Sequence, residues 1–195
     1  MKTHLVLAAS AAMLAFCLPT LNAQEKSAKS ETSAKKANGL SKDDLQALRK
    51  FAQADMAEIE AGKVAAQKAS NPEVKKYGEH MVQEHTKMLD EGKKLAQAKG
   101  VKPPAAPEKK HQDALKKLQG AEGEDFDRRY MRQMVRDHQE VLKLAEKTAK
   151  DAKDPELKAH AQKGMPHIKE HLESARKIEA SLKGGDAQER KQSKK

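Results

Sequence analysis

Three histidines near the C-terminal end share one face of a predicted helix, and that face should be buried. Residues 155–182 carry apolar residues at helical spacing. His160, His167 and His171 fall within about 40° of one another on a wheel of 100° per residue. Each nitrogen of a buried imidazole needs a partner, which is a polar side chain, a water or a metal ion. The segment therefore predicts either a hydrogen-bonded network or metal ligation.

The other long apolar segments also place titratable side chains on or beside their predicted buried faces. These are Asp55 and Glu58 in segment 42–69, His85 in 72–100, and Asp127 and His138 in 124–152. With a rise of about 1.5 Å per residue, four of the titratable side chains come near the middle of helices about 42 Å long. The four are Glu58, His85, His138 and His171. One polar layer across the protein could hold them all.

A transition-metal site is one hypothesis for this layer. The candidate ligands are Glu58, His85, His138, His167 and His171, with Asp55 and Asp127 as partners of the ligand rings. Imidazole and carboxylate together suit iron, zinc, manganese, nickel or copper. His167 and His171 are four residues apart, as in a chelating pair. However, the four long predicted helices lack the Glu-x-x-His signature of di-iron bundles.

A buried network without metal is the second hypothesis, and it is the one we favour from sequence alone. Asp55, Glu58 and Asp127 would satisfy the histidines and fix the register of the helices. The chain has neither a Gly-rich phosphate loop nor a strand-turn-helix nucleophile. We therefore predict no catalytic residue and no organic cofactor, and any enzymatic role would depend on the metal.

The sequence predicts an all-α fold, a bundle of four long helices. Apolar residues recur at three and four positions, and no alternating strand pattern occurs. Helices are predicted over 42–69, 72–100, 108–119, 124–152 and 155–183. Segment 70–75, with its Asn-Pro-Glu turn, is echoed 83 residues later by the Asp-Pro-Glu turn of 153–158. We expect two helical hairpins, joined by a crossover that contains the short extra helix.

The ends of the chain predict export. A lysine, an apolar run and a small-residue site indicate a signal peptide over 1–23, and the following polar tract favours cleavage over a membrane span. Lipidation at Cys17 is an alternative to cleavage after Ala23. We predict a disordered linker over residues 24–39, the bundle domain over 40–183 and a disordered basic tail over 184–195.

The net charge of +10 restricts the partners. Export and the near absence of aromatic stacking residues argue against nucleic acid. Anionic components of the cell envelope remain candidate partners for the lysine-rich surface, and we expect no membrane-spanning segment in the mature protein.

Several short motifs in order resemble a bacterial exported family, domain of unknown function 4142. They include Met56-Ala57-Glu58, Pro72-Glu73-Val74, Glu84-His85, Phe126-Asp127, Asp137-His138 and Pro166 followed by His171. The resemblance covers residues 40–183. It implies a ferritin-like bundle in the periplasm or at the outer membrane, with no agreed activity. It also marks Glu58, His85, Asp127, His138, Pro166 and His171 as positions of interest, and the chain departs from it at Asp55, where a small residue is usual.

Two functions follow from these observations. The first is a non-enzymatic exported bundle that serves envelope maintenance or stress tolerance. The alternative is a metal-binding or metal-dependent redox protein that uses the histidines and carboxylates of its core.

Overall fold

The structure is a computed structural model that describes the backbone of residues 39–192 and the side chains of residues 39–184. All regular secondary structure in this range is helical, and the prediction of an all-α bundle is confirmed. The helices are α1 (Lys42–Lys68), α2 (Pro72–Ala98), α3 (Lys109–Gln119), α4 (Gly123–Asp151) and α5 (Pro155–Gln192). Within these residues, no helix combines the length and the apolar character that a membrane crossing requires. The predicted signal peptide and nearly all of the linker lie outside the described residues.

The predicted turns between paired helices have the expected caps. The side chain of Asn71 accepts hydrogen bonds from the N–H groups of Glu73 (2.8 Å) and Val74 (3.3 Å) at the start of α2. Asp154 accepts one from the N–H of Leu157 (2.9 Å) at the start of α5. In each case the cap is followed by proline at the first helical position, where no N–H is needed.

Helix α5 is longer than the sequence predicts. Its backbone continues through Gly184 to Gln192, past the predicted end at Lys183 and into the segment predicted to be a disordered tail. Glycine lowers helix stability by about 1 kcal/mol but keeps its N–H donor, so two glycines weaken a helix without ending it. Pro166 also lies inside this helix.

Asp127 joins the two hairpins at one end of the bundle. Its carboxylate accepts hydrogen bonds from the backbone N–H groups of Ser70 (3.1 Å) and Asn71 (2.8 Å), in the turn between α1 and α2. From its position in the sequence, Asp127 is predicted to be a partner of the core histidines. Both of its oxygens instead bind this turn, because unpaired N–H groups at a helix start need acceptors and Asp127 lies in the first turns of α4.

Asp44 makes the matching contact at the other end. Its carboxylate accepts from the N–H groups of Lys153 (3.2 Å) and Asp154 (3.2 Å), in the turn between α4 and α5. The start of α1 therefore lies at the turn between α4 and α5, which we call the second turn. The start of α4 lies at the turn between α1 and α2, which we call the first turn. The two hairpins point in opposite directions, a question that the sequence had left open.

The segment between α2 and α4 consequently runs from one end of the bundle to the other. Lys99, just after α2, forms an ion pair with Asp154 at 2.7 Å, which places it at the turn between α4 and α5. At the opposite end, Lys68 Nζ donates to the carbonyl of Gln119, the last residue of α3, at 2.6 Å. One long connection of this kind is typical of ferritin-like bundles.

The apolar core consists of two clusters with polar residues between them. Near the first turn lie residues such as Val74, Tyr77, Met81, Phe126, Tyr130 and Ala175. Near the second turn lie Leu48, Phe51, Ala145, Leu157, Ala161 and Ile168. Between these clusters, each long helix carries at least one buried polar residue. These residues are Asp55 and Glu58 on α1, His85 on α2, His138 on α4 and His171 on α5.

Candidate metal centre

Three imidazoles, one from each of α2, α4 and α5, meet in this polar layer, and we call them the histidine trio. His85 lies 5.5 Å from His138 and 5.3 Å from His171 between ring centroids, and His138 and His171 are 5.5 Å apart. None of the three is more than 2% exposed. One nitrogen from each ring lies within 4.8 Å of the other two. Residues far apart in the chain thus converge as the helical heights predicted.

Asp55 fixes the orientation of the first ring. Its Oδ1 atom lies 2.9 Å from His85 Nδ1, and both side chains are buried. An ionised carboxylate only accepts hydrogen bonds, so the ring carries its proton on Nδ1. The lone pair of His85 is then on Nε2. Carboxylate–histidine pairs with this arrangement support ligand rings in metal sites.

The backbone fixes the orientation of the second ring. His138 Nδ1 lies 2.9 Å from the carbonyl oxygen of Met134, one helical turn earlier. A carbonyl can only accept, so this ring is also protonated on Nδ1 and keeps a lone pair on Nε2. Two of the three rings therefore present the same nitrogen as a base.

Each ring of the trio also has one buried nitrogen without a hydrogen-bond partner. His85 Nε2, His138 Nε2 and His171 Nδ1 are buried and unpaired. Leaving a buried polar group unpaired costs about 1–3 kcal/mol, so three such atoms together require an explanation. With the proton of His171 on Nε2, a shared metal ion would use all three nitrogens at once, and the donor set therefore fits a metal.

The electrostatics keep these rings in the ligating form. Burial lowers the pKa of His138 to about 3, and His85 adds to the effect. Burial likewise lowers the pKa of His171 to about 2, with contributions from His85, His138 and His80. Both rings are neutral at pH 7, which is the form that binds metals.

Glu58 is a buried acid beside the trio, and one of its carboxylate oxygens has no hydrogen-bond partner. Its Oε2 is buried without a partner, and its Oε1 lies 4.0 Å from His138 Nδ1. Burial raises the pKa of Glu58 well above its usual range, and Asp137 and Asp55 raise it further. An adjacent cation would favour the ionised form of Glu58. Its contact with His138 is on the Nδ1 side of the ring, so Glu58 is placed to compensate the charge of an ion held by the trio rather than to ligate it.

The spacing is somewhat wider than a closed site requires. Nitrogen ligands about 2.1 Å from a tetrahedral ion are about 3.4 Å apart. The trio nitrogens are separated by up to 4.8 Å. A contraction of at most about 1.4 Å, by rotation of the side chains, would bring them to ligating distance.

The remaining predicted ligand does not join the trio. His167 is exposed and lies on the rim of a cavity. His160, which the sequence places on the same buried face, is half-buried, and its ring packs edge-on against Phe51 at 6.0 Å. The helical wheel predicts the correct face of α5. It does not predict how far along that face the neighbouring helices cover it.

A cavity of about 470 Å³ adjoins the polar layer. It reaches Asp55, Glu58 and His85 on one side, and its walls come from all five helices and the residue before α3. Glu108 and His111, the single Glu-x-x-His spacing in the chain, lie on this wall in and beside the short helix α3 rather than in the trio. Sequence reasoning missed the cavity, because no local pattern encodes a gap between helices.

The chain belongs to the family described as "Domain of unknown function (DUF4142)", whose model matches residues 29–178. The family resemblance seen in the sequence is thereby confirmed. A search of curated proteins gave no match.

Solved structures share the fold at low sequence identity. A DUF305 fragment from Deinococcus radiodurans is 14% identical, with a TM-score of 0.63, and the match covers 73% of this chain and 97% of that one. A DUF305 protein from Streptomyces coelicolor, described as a candidate secreted protein, is 12% identical, with a TM-score of 0.62 and coverage of 72% and 93%. CopM in its Cu(II)-bound form is 22% identical, with a TM-score of 0.61 and coverage of 71% and 96%.

Proposed function

We propose that this protein binds one transition-metal ion, copper or zinc, in the middle of its helical bundle. The proposed ligands are the buried, unpaired nitrogens His85 Nε2, His138 Nε2 and His171 Nδ1, and Glu58 beside them would compensate the charge of the ion. Two observations carry the proposal: one nitrogen of each ring lies within 4.8 Å of the other two, and each ring has a buried nitrogen without a hydrogen-bond partner. This reverses our preference from the sequence, because a metal-free network would pair these atoms.

Imidazole donors suit copper, zinc, iron and nickel, whereas manganese prefers sites rich in oxygen ligands. Copper is the first choice because, among divalent ions of this series, it generally binds a given nitrogen site most tightly. The likeness to CopM, a protein solved with bound copper, agrees with this choice, although at 22% identity it supports the fold alone.

The proposed role is to hold the ion rather than to catalyse a reaction. The three rings are at most 2% exposed. Catalytic metal sites keep one coordination position open to water or substrate, whereas closed sites store or stabilise. A non-enzymatic metal-binding bundle would also serve the tolerance of metal stress.

We further propose that the protein is exported to the periplasm and works in the cell envelope, in solution or beside the outer membrane. The signal-like residues 1–23 support this, as does the description of the Streptomyces relative. The positive charge of the chain would favour contacts with anionic envelope components. Fractionation of cells that express the untagged protein tests this location, and retention in the cytoplasm would overturn it.

The metal proposal is tested on untagged protein that has been stripped of metal. Copper or zinc is titrated while bound metal and the melting temperature are followed, and binding to the native state should raise the melting temperature. We expect one ion per chain and loss of both signals in His171→Ala. His80→Ala is the matched control, because His80 is an exposed histidine whose ring lies 5.4 Å from that of His171. Equal binding by the wild type and His171→Ala would overturn the proposal.

A further inference from the structure

The cavity beside the polar layer is larger than an ordinary gap in packing. Its volume of about 470 Å³ lies within the range of about 300–1,000 Å³ that is usual for small-molecule sites. Protein interiors leave few voids larger than one water molecule. The cavity is therefore a candidate ligand site, and the chemistry of its wall indicates what the ligand would be.

Much of the cavity wall is apolar. The larger apolar side chains of the wall include Phe51, Met88, Val141, Leu144 and Ile168. They come from α1, α2, α4 and α5, and Phe51 and Ile168 are buried. A wall of this kind binds the apolar part of a ligand through the hydrophobic effect.

The charged part of the wall is acidic, although the protein as a whole is basic. Among the described residues, seven carboxylates and four lysines line the cavity. With every carboxylate ionised and the histidines neutral, the wall has a formal charge of −3, whereas the chain has +10. This local reversal of sign favours a cationic ligand over an anionic one.

The lysines of the wall do not form a free anion site. Three of them are paired with carboxylates of the same wall. The ion pairs are Lys87–Glu84 at 2.7 Å, Lys110–Glu140 at 3.0 Å and Lys163–Glu91 at 2.7 Å. Lys50, the fourth, is exposed on α1, so its ammonium group is hydrated.

Glu58 is a buried acid of the wall with a free acceptor. It is 5% exposed, and its Oε2 atom has no hydrogen-bond partner. Asp55, the second buried acid of the wall, is instead hydrogen-bonded to His85 at 2.9 Å. The terminal torsion of a glutamate side chain is soft, so the Glu58 carboxyl group can turn towards a ligand in the cavity.

We propose that the cavity binds a small organic cation, an ammonium group on an apolar body. The ammonium group pairs with the Glu58 carboxylate, and the apolar body lies against Phe51, Met88 and Ile168. An ammonium group has three donors and no acceptor, which suits an unpaired carboxylate oxygen. The inference goes beyond the metal proposal and needs no ion in the histidine trio.

Calorimetric titration of the untagged, metal-free protein with octylammonium tests this inference. Octanol and octanoate serve as matched probes, because they carry a neutral and an anionic head group on a chain of the same length. We expect one octylammonium per chain, bound at least about tenfold more tightly than either matched probe, since a hydrogen bond between charged groups is the stronger kind.

Glu58→Gln removes the charge and keeps the size of the side chain. It should weaken octylammonium binding by about 10–100-fold, the usual effect of losing a hydrogen bond to a charged group. The binding of octanol should stay the same. Glu60→Gln is the matched control, because Glu60 is an exposed residue of the same helix and is not part of the cavity wall.

Gly164→Leu tests the apolar part of the site. A β-carbon at Gly164 would lie 3.6 Å from Met88 Cε and 3.9 Å from Ile168 Cδ1, which are ordinary contact distances. The leucine side chain would therefore occupy the space beside these two residues. It should weaken the binding of octylammonium and of octanol alike, by about tenfold or more.

Three results would overturn the inference. They are the absence of saturable octylammonium binding, octanoate that binds as tightly as octylammonium, and equal octylammonium affinity in the wild type and Glu58→Gln. If Glu58→Gln does not fold, as judged by circular dichroism, the comparison of the three probes on the wild type still decides. Because these measurements use metal-free protein, their failure leaves the proposed metal site untouched.

Discussion

Asp55 Oδ1 and His85 Nδ1 lie 2.9 Å apart in the middle of the bundle, and this pair determines which nitrogen of His85 faces the other two imidazoles. The carboxylate holds the ring proton on Nδ1 and leaves Nε2 as the base. Met134 does the same for His138 through its carbonyl oxygen. Two rings of the trio are therefore oriented before any ion arrives, which lowers the cost of binding one.

Asp55→Ala should weaken metal binding by about 10–100-fold, the usual effect of losing a partner of a ligand histidine. The cause is the loss of the Nδ1 acceptor, which frees the ring to rotate and to exchange its proton position. Competition titration against a chelator of known affinity measures the change. Glu60→Ala is the control, since Glu60 is exposed on the same helix. An unchanged affinity in Asp55→Ala would contradict the role given to this pair.

In the absence of metal, His138→Leu should stabilise the protein by about 1–3 kcal/mol at pH 7, because an apolar side chain replaces a buried ring with an unpaired nitrogen. Met134 O keeps its helical hydrogen bond, so the change leaves no new unpaired acceptor. Urea denaturation of stripped protein gives the difference in the free energy of unfolding. With metal present, the wild type should instead be more stable than His138→Leu. If His138→Leu strongly destabilises the stripped protein, His138 has a structural role.

The advantage of His138→Leu should grow as the pH falls from 7 to 5. The pKa of His138 is about 3 in the folded protein, whereas a histidine in the unfolded chain has a pKa of about 6.5. Below pH 6.5 the unfolded state binds a proton that the folded state rejects, so wild-type stability falls by up to about 1.4 kcal/mol per pH unit from this group. Other titrating groups, including Glu58, are common to both proteins and largely cancel. A pH-independent difference would show that His138 titrates normally.

The two turn caps should contribute to stability independently. Asp44→Ala and Asp127→Ala each remove the acceptor of two backbone N–H groups in the opposite hairpin, and each should cost about 1–2 kcal/mol. The sites lie at opposite ends of the bundle, so the double variant should show the sum within about 0.5 kcal/mol. Denaturation midpoints of the four proteins test this. Asp43→Ala, an exposed neighbour in α1, serves as the control, and an effect as large as that of Asp44→Ala would argue against capping.

The sequence predicts the helices and turns well because their signals are local. Asn71-Pro72 and Asp154-Pro155 specify helix starts by side-chain capping and a fixed backbone angle, whatever surrounds them. The prediction that α5 ends at Lys183 was wrong. Glycine only weakens a helix, and within the described residues neither a proline nor an αL turn follows Lys183. The heights of His85, His138 and His171 were predictable from the rise per residue.

The direction of the second hairpin and the role of Asp127 depend on contacts between distant segments. The sequence does contain a signal for the role of Asp127, because Asp127 follows Asp44 by the same 83 positions that separate the two turns. Each aspartate caps the other hairpin's turn, and extending the repeat to them would have indicated this. The cavity and the exposure of His167 depend on how the helices pack, which hydrophobic periodicity does not encode.

X-ray absorption spectroscopy of the copper-loaded, untagged protein tests the central claim most directly. The account predicts imidazole nitrogens as the nearest neighbours of copper, at about 2 Å, in the wild type and in His80→Ala, and fewer of them around any copper that His171→Ala retains. Sulfur neighbours from the core methionines, or a spectrum that is the same in the wild type and His171→Ala, would contradict it.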